Sequence, residues 1–331
     1  MDAATNAVRS AFMPAMAGAF SIAALVALYF SNLYSYLLFH SLVEVIRVAV
    51  AFGVFMLAWH SRTWSGNDYL KLLGIAYLWV GVMTLAHLLA YKGMGVFPGF
   101  DANLPTQLWT ASRYMEAVSF CVAPLFVRMP LRIPLAFALY FACTFALVAS
   151  IFGGYFPDCY SEGTGLTPFK IWSEYVISLF FIGSFITLFH YRSAFDSRVF
   201  AFLAASIPAA VAAELMFTRY AHPFAAANEA GHFLALLSTW LVYRAILVTG
   251  LVRPFGLLLH AARQKSNELE AKVAERTARL RESEERFRSL FDSSADAVFI
   301  VDDVLKILEV NEIACRRLGY RRSDLIGRTL Q

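Results

Sequence analysis

The sequence predicts an all-α polytopic membrane helix bundle of about eight spans, followed by a coiled-coil helix and the opening of a small α+β fold. Three observations predict it. Of the 331 residues, 59% are hydrophobic and only 16% are charged, against about 25% charged in soluble domains. The charge is segregated, because residues 254–331 carry 14 of the 28 Lys+Arg and 13 of the 24 Asp+Glu. Apolar runs near the roughly 20 residues needed to cross a bilayer recur through the first part of the chain. The net charge of +4 is small and spread out, so nothing points to a nucleic-acid partner.

The apolar runs place spans at about 12–31, 37–60, 70–91, 105–127, 133–152, 171–190, 199–219 and 228–251. Pro124 and Pro208 fall within them, as membrane helices tolerate. The first run lacks the charged region, short apolar stretch and small-residue cleavage pattern of a signal peptide and reads as a retained span. One set of span ends carries Arg9, Arg62, Lys71, Arg128, Arg132, Arg192, Arg198 and Arg253, and the opposite set only Lys92, Lys170 and Arg219. Eight cations against three put the first set in the cytoplasm. The expected location is therefore the inner (plasma) membrane, multi-pass, with both termini cytoplasmic. Trp109, Trp172, Tyr91 and Tyr220 suit an aromatic belt at the outer interface. Cys121, Cys143, Cys159 and Cys315 have no CxxC or metal spacing, so a disulfide framework is not expected.

Beyond the last span, Leu259, Ser266, Val273, Leu280 and Phe287 fall seven apart, with Ala262, Leu269, Arg276 and Ser283 in the alternate seam. That heptad continues the eighth span directly and predicts a parallel dimeric helix. Next, "AVFIV" reads as a strand, "DD" as a turn and "KILEV" as its partner. Asn311 is placed to cap a helix over "EIACRRLGY", and Ser323 with Asp324 to start another at "SDLIG". The expected divisions are 1–252, 253–287 and 288–331.

Ionisable residues within spans are costly and mark function. His40, Glu44 and Arg47 share one stripe of the second span, Arg113 and Glu116 one face of the fourth, and Asn228 and His232 one face of the eighth. His40, Glu44, His87, Arg113, Glu116, Glu174, Glu214 and His232 all fall in the outer half of the bilayer, and Arg244 is the main exception. The external loop "AYKGMGVFPGFDANLPTQLW" lies above them. Gly93, Gly95 and Gly99 there permit tight turns, and Asn103 or Thr106 with Pro105 could start the fourth span. A lid over a cavity would offer Lys92, Asp101 or Gln107. The candidate ligand-binding set is thus His40, Glu44, His87, Lys92, Asp101, Gln107, Arg113, Glu116, Glu214, Asn228 and His232. Arg113–Glu116 also reads as a structural ion pair, and Glu174 as an interfacial residue. His40, His87 and His232 on facing helices suit a transition metal or axial haem ligation. The same layer suits a small quinone-like ligand. No HExxH, nucleophile elbow or phosphate-binding loop stands out, and no enzyme activity is expected of the chain as given.

The runs at 37–59, 73–119 (with the loop just quoted at its centre) and 212–247 resemble the third type of the membrane-associated sensor (MASE) domains, over roughly residues 12–250. The stretch "ESEERFRSLFDSSADAVFIVDD" with "ILEVNEIACRRLGY" resembles the opening of a PAS domain, truncated here. These resemblances imply a bacterial signal-input module in a lipid bilayer. They imply service to a downstream cytoplasmic output domain, a histidine kinase or diguanylate cyclase, and name no ligand. The heptad adds the expectation of a homodimer, and the polar layer that of a small-molecule or redox ligand. The competing expectations are a transporter or channel, or an intramembrane haem- or metal-dependent enzyme. The absence of an internal repeat and the clustering of polar groups in one half weigh against transport.

Overall fold

The computed structural model describes residues 22–63, 66–218 and 226–330. Helix α1 (Ile22–Tyr34) is the described part of the first expected span. Helices α2 (Tyr36–Ser61), α3 (Asp68–Ala90), α5 (Ile133–Phe152), α6 (Pro168–His190), α7 (Ser197–Phe217) and α8 (Ala226–Leu247) are long and apolar enough to cross a membrane. Helix α4 (Asn103–Val122) is as long as α5 but carries Asn103, Thr106, Gln107, Arg113 and Glu116, and so falls below that apolar threshold. Arg9, Arg219 and Tyr220 lie outside the described residues.

Local sequence fixes the helix starts. The side chains of Ser35, Asn67, Thr167 and Asp196 accept from Leu38 N, Leu70 N, Lys170 N and Arg198 N, satisfying amides that a helix start leaves unpaired. Neither Asn103 nor Thr106 caps α4, whose capping residue is Ala102 with no side-chain bond. Instead Asp101 Oδ1 accepts from Asn103 N at 2.9 Å, and Thr106 Oγ1 donates back to Ala102 O.

The helices close into a ring in the order α2, α3, α4, α6, α7, α8 and back to α2, with α5 packed outside against α3 and α4. Burial follows: α3 is mostly buried and α5 mostly exposed. The outward face of α5 presents Leu139, Phe141 and Phe145, as a lipid-facing surface requires. Small residues set the close approaches. A Cβ on Gly74 would stand 2.2 Å from Ala58 Cβ, so α2 and α3 meet nearly backbone to backbone. The α5–α6 connection holds a hairpin, β1 (Tyr160–Ser161) with β2 (Gly165–Leu166). After α8 comes a π-helical segment, Val248–Val252. Pro254 follows and has no N–H to donate four residues back.

The chain divides into compact units at 255/256. Helix α9 (Arg253–Ser293), all but its first three residues in the second unit, exposes Leu259, Leu269, Val273, Leu280 and Phe287. Its flanks carry Glu-to-cation pairs four residues apart, such as Glu268–Lys272 and Glu275–Arg279. Strands β3 (Phe299–Val301) and β4 (Ile307–Val310) pair antiparallel with a bulge at Ile300/Val301. Asn311 caps α10 (Glu312–Leu318) as expected. Helix α11 (Arg322–Leu325) starts ahead of Ser323, with Arg321 at the cap position and no side-chain cap bond.

Candidate functional site

Helices consecutive in the chain run in opposite directions, so α4 and α6, with α5 between them, run parallel, as do α8 and α2. The starts of α2, α4, α6 and α8 therefore meet the ends of α3 and α7 at one end of the bundle. That end holds a cavity of about 350 Å³, lined by residues from all six helices and from the β1 hairpin loop. Its size sits at the low end of ligand pockets, about 300–1,000 Å³, and so favours a small ligand. Lys92 and Glu162 are exposed and mark its open side, bridged to each other at 2.9 Å. The Glu162 carboxylate raises the pKa of the Lys92 ammonium. Trp109, His87, His40 and His232 are buried and form the inner wall.

The histidines form a connected set. His87 Nδ1 lies 2.7 Å from the Pro105 carbonyl, to which only an N–H can donate. The neutral ring then presents a bare Nε2, 3.2 Å from His40 Nε2, so His40 donates there. That leaves His40 Nδ1 as a buried lone pair without a hydrogen-bond partner, at a cost of about 1–3 kcal/mol. His40 also stacks on Tyr91, ring centroids 3.7 Å apart, and meets the His232 ring edge-on at 4.9 Å. His232 Nδ1 lies 2.9 Å from Glu44 Oε1. Arg47 Nη1 donates to both Glu44 oxygens at 3.0 Å, and its guanidinium sits 4.7 Å over the Trp109 ring. His40, Glu44 and His232 each offer a ligand atom within 4.8 Å of the others. His87 stands outside that group, joined to it through His40.

A second polar cluster adjoins these groups: Lys170 lines the cavity, and the Arg113 guanidinium sits 5.9 Å from the centre of the Trp109 ring. Arg113 pairs with both Glu116 and Glu214, and Glu116 also accepts from Tyr77 Oη at 2.7 Å. Lys170 pairs with Glu174. Every one of these charged side chains is buried. Glu174 is thus no interfacial residue and Lys170 no loop cation, because the start of α6 is tucked into the bundle.

The structure therefore separates the expected site residues. His40, His87, Lys92, Asn228 and His232 line the cavity, with Glu44 bound to His232. Asn228 also donates to Tyr36 Oη. Arg113, Glu116 and Glu214 form the buried ion network instead. Asp101 is spent on the α4 start, and Gln107 donates to the Phe156 and Pro157 carbonyls. Neither lines the cavity. Trp109 is 5% exposed and packs inside the site rather than at an interface. Sequence reasoning missed Tyr36, Tyr160 and Glu162 and gave Tyr91 the wrong task. Only the 36/40 spacing of Tyr36 on the histidine stripe could have signalled any of them.

The family model described as a membrane-associated sensor domain, MASE3, matches residues 31–254, and a PAS domain model matches residues 285–331. No curated protein and no solved structure gives a significant match. The first match covers more than half of the chain and includes every helix that lines the cavity, so this protein belongs to the membrane-associated sensor domain family, with the beginning of a PAS domain after its membrane bundle.

Proposed function

We propose that the membrane bundle senses a small ligand in the histidine-lined cavity and passes the signal along α8 to the PAS region. One observation carries the reading. His232 on α8 and Glu44 on α2 touch across the wall of the cavity, so whatever occupies the cavity acts on the α2–α8 contact. By the distribution of loop cations, the cavity faces outward and both termini are cytoplasmic, as in a protein of the bacterial inner membrane. Residues 1–252 form the input part, 253–287 the relay and 288–331 the start of the PAS domain. The heptad residues of α9, exposed on a single chain, pack against the same helix of a second chain. A histidine kinase or diguanylate cyclase receives the output.

The test is a full-length receptor carrying His40→Ala, His87→Ala or His232→Ala, with reporter output and membrane level measured together. At least two of the three are expected to lose or lock the response at normal abundance. Normal signalling by all three would overturn the reading, and robust substrate flux into vesicles would favour a transporter instead.

A further inference from the structure

We propose that the cavity wall binds a divalent first-row transition metal through His40, Glu44 and His232. The proposal rests on the reading of this cavity as the sensing site and names the class of ligand that it takes. Two imidazoles and one carboxylate suit Zn2+ or Fe2+, whereas Ca2+ and Mg2+ want oxygen ligands and Cu(I) wants sulfur.

The distances agree. Two donor atoms sharing an ion at about 2.0–2.1 Å lie roughly 3 Å apart when they are cis to each other. His232 Nδ1 and Glu44 Oε1 are 2.9 Å apart, so a metal replaces the proton between them, which moves to Nε2 of the neutral ring. His40 supplies the third donor, its candidate atom already within 4.8 Å of the others. Its unpartnered, fully buried Nδ1 is a lone pair that no protein group uses.

The surroundings are those of a built site. Ligating histidines are held by a hydrogen bond at the other ring nitrogen. His40 has this through His87, which the Pro105 carbonyl fixes in turn. Arg47 anchors the Glu44 carboxylate. His87 and Arg47 are therefore positioning residues. The adjoining cavity leaves an open coordination position for water or a second ligand. Haem held between His40 and His87 does not fit. Axial nitrogens lie on opposite faces of the macrocycle, and 3.2 Å between these two leaves no room for a ring.

The experiment uses the whole chain in detergent, stripped with a chelator. It is titrated with Zn2+, and with Co2+ as a visible-absorption probe. About one equivalent per chain is expected. Binding and Co2+ bands are lost in His40→Gln and His232→Gln, and weakened about 10–100-fold in His87→Ala. Thermal unfolding without metal identifies any variant that fails to fold, and Glu44→Gln, which keeps its shape, gives an independent reading of the same site. Binding far below one equivalent, or unchanged binding in folded His40→Gln and His232→Gln, overturns the proposal. If the chain binds no metal but His40→Gln silences the receptor, the metal fails and the sensing cavity survives. If metal binds at these residues while signalling ignores their loss, the metal site stands and the sensing role falls.

Discussion

Arg113 is the keystone of the buried ion network, and removing it tests whether that network is structural. Its guanidinium donates to Glu116 and Glu214, and all three side chains are at most 1% exposed. Arg113→Met keeps the length and removes the charge. Two charge-assisted hydrogen bonds, each worth about 1.5–3 kcal/mol, are lost. Two carboxylates are left buried, Glu116 with the Tyr77 hydroxyl as its remaining donor, while Lys170 stays paired with Glu174. Breaking a buried pair in this way costs about 3–5 kcal/mol, or roughly 6–9 °C of melting temperature for a unit of this size. Thermal unfolding in detergent, followed by far-UV circular dichroism, measures it. The triple variant Arg113→Met with Glu116→Gln and Glu214→Gln removes the orphaned charges and is expected to recover most of the loss, since neutral replacements of buried pairs are often tolerated. A single variant that melts within about 1 °C of wild type, or a triple variant less stable than the single, would refute the reasoning.

Four further outcomes follow from the packing. A Cβ on Gly231 would meet the Phe217 ring edge at 2.5 Å, so Gly231→Ala should cost about 1–3 kcal/mol in the same melt and lower ligand affinity, because Phe217 lines the cavity. Asn103 ties the hairpin loop to α4 through Asp158 Oδ1, Cys159 N and Tyr160 N. Asn103→Ala should cost on the order of 1 kcal/mol and speed proteolysis of that loop. Buried Asn311 donates to the Phe291 and Asp296 carbonyls and accepts from Val298 N and Ala314 N. Asn311→Ala should therefore lose at least about 2 kcal/mol locally, seen as faster hydrogen exchange at Val298 and Ala314. Gly250→Ala would place a Cβ 2.9 Å from Ser61 Oγ, and is expected to lock a full-length receptor in one state while leaving the cavity intact, as read by reporter output with and without stimulus.

The spans and the histidine layer were legible because both rest on composition and helical spacing. Apolar runs of the right length became helices, and four- and three-residue spacings put His40, Glu44 and Arg47 on one face. What the sequence hid is set by contacts between distant segments. No periodicity separates Arg113 from the cavity, because its partner Glu214 lies 101 residues away. Trp109 near a span end looks the same whether it turns to lipid or inward, and Arg47 above its ring decides for inward. Lys170 and Glu174 look interfacial by position until α6 is seen to start inside the bundle. Asp101 and Gln107 carried polar side chains in a suggestive loop, but unpaired backbone groups nearby claimed them.

If the cavity is the sensing site, as proposed, the α2–α8 contact is the route by which its occupancy would reach the output. The other helices that line the cavity, α2, α3, α4, α6 and α7, are not carried on into another long helix, while α8 passes through the π segment into α9. Helix α2 touches α8 at both ends: Glu44 meets His232 beside the cavity, and Ser61 abuts Gly250 in the π segment. A π segment is a low-cost place to change helical register, and Gly250 allows the neighbouring chain to come close there. A ligand that alters the Glu44–His232 contact therefore loads one end of a lever whose other end rests on the least regular turn of α8. Such a packed contact has discrete arrangements rather than a continuous range. On this reading the π segment is the two-state element, and the cavity biases it from the far end of α8.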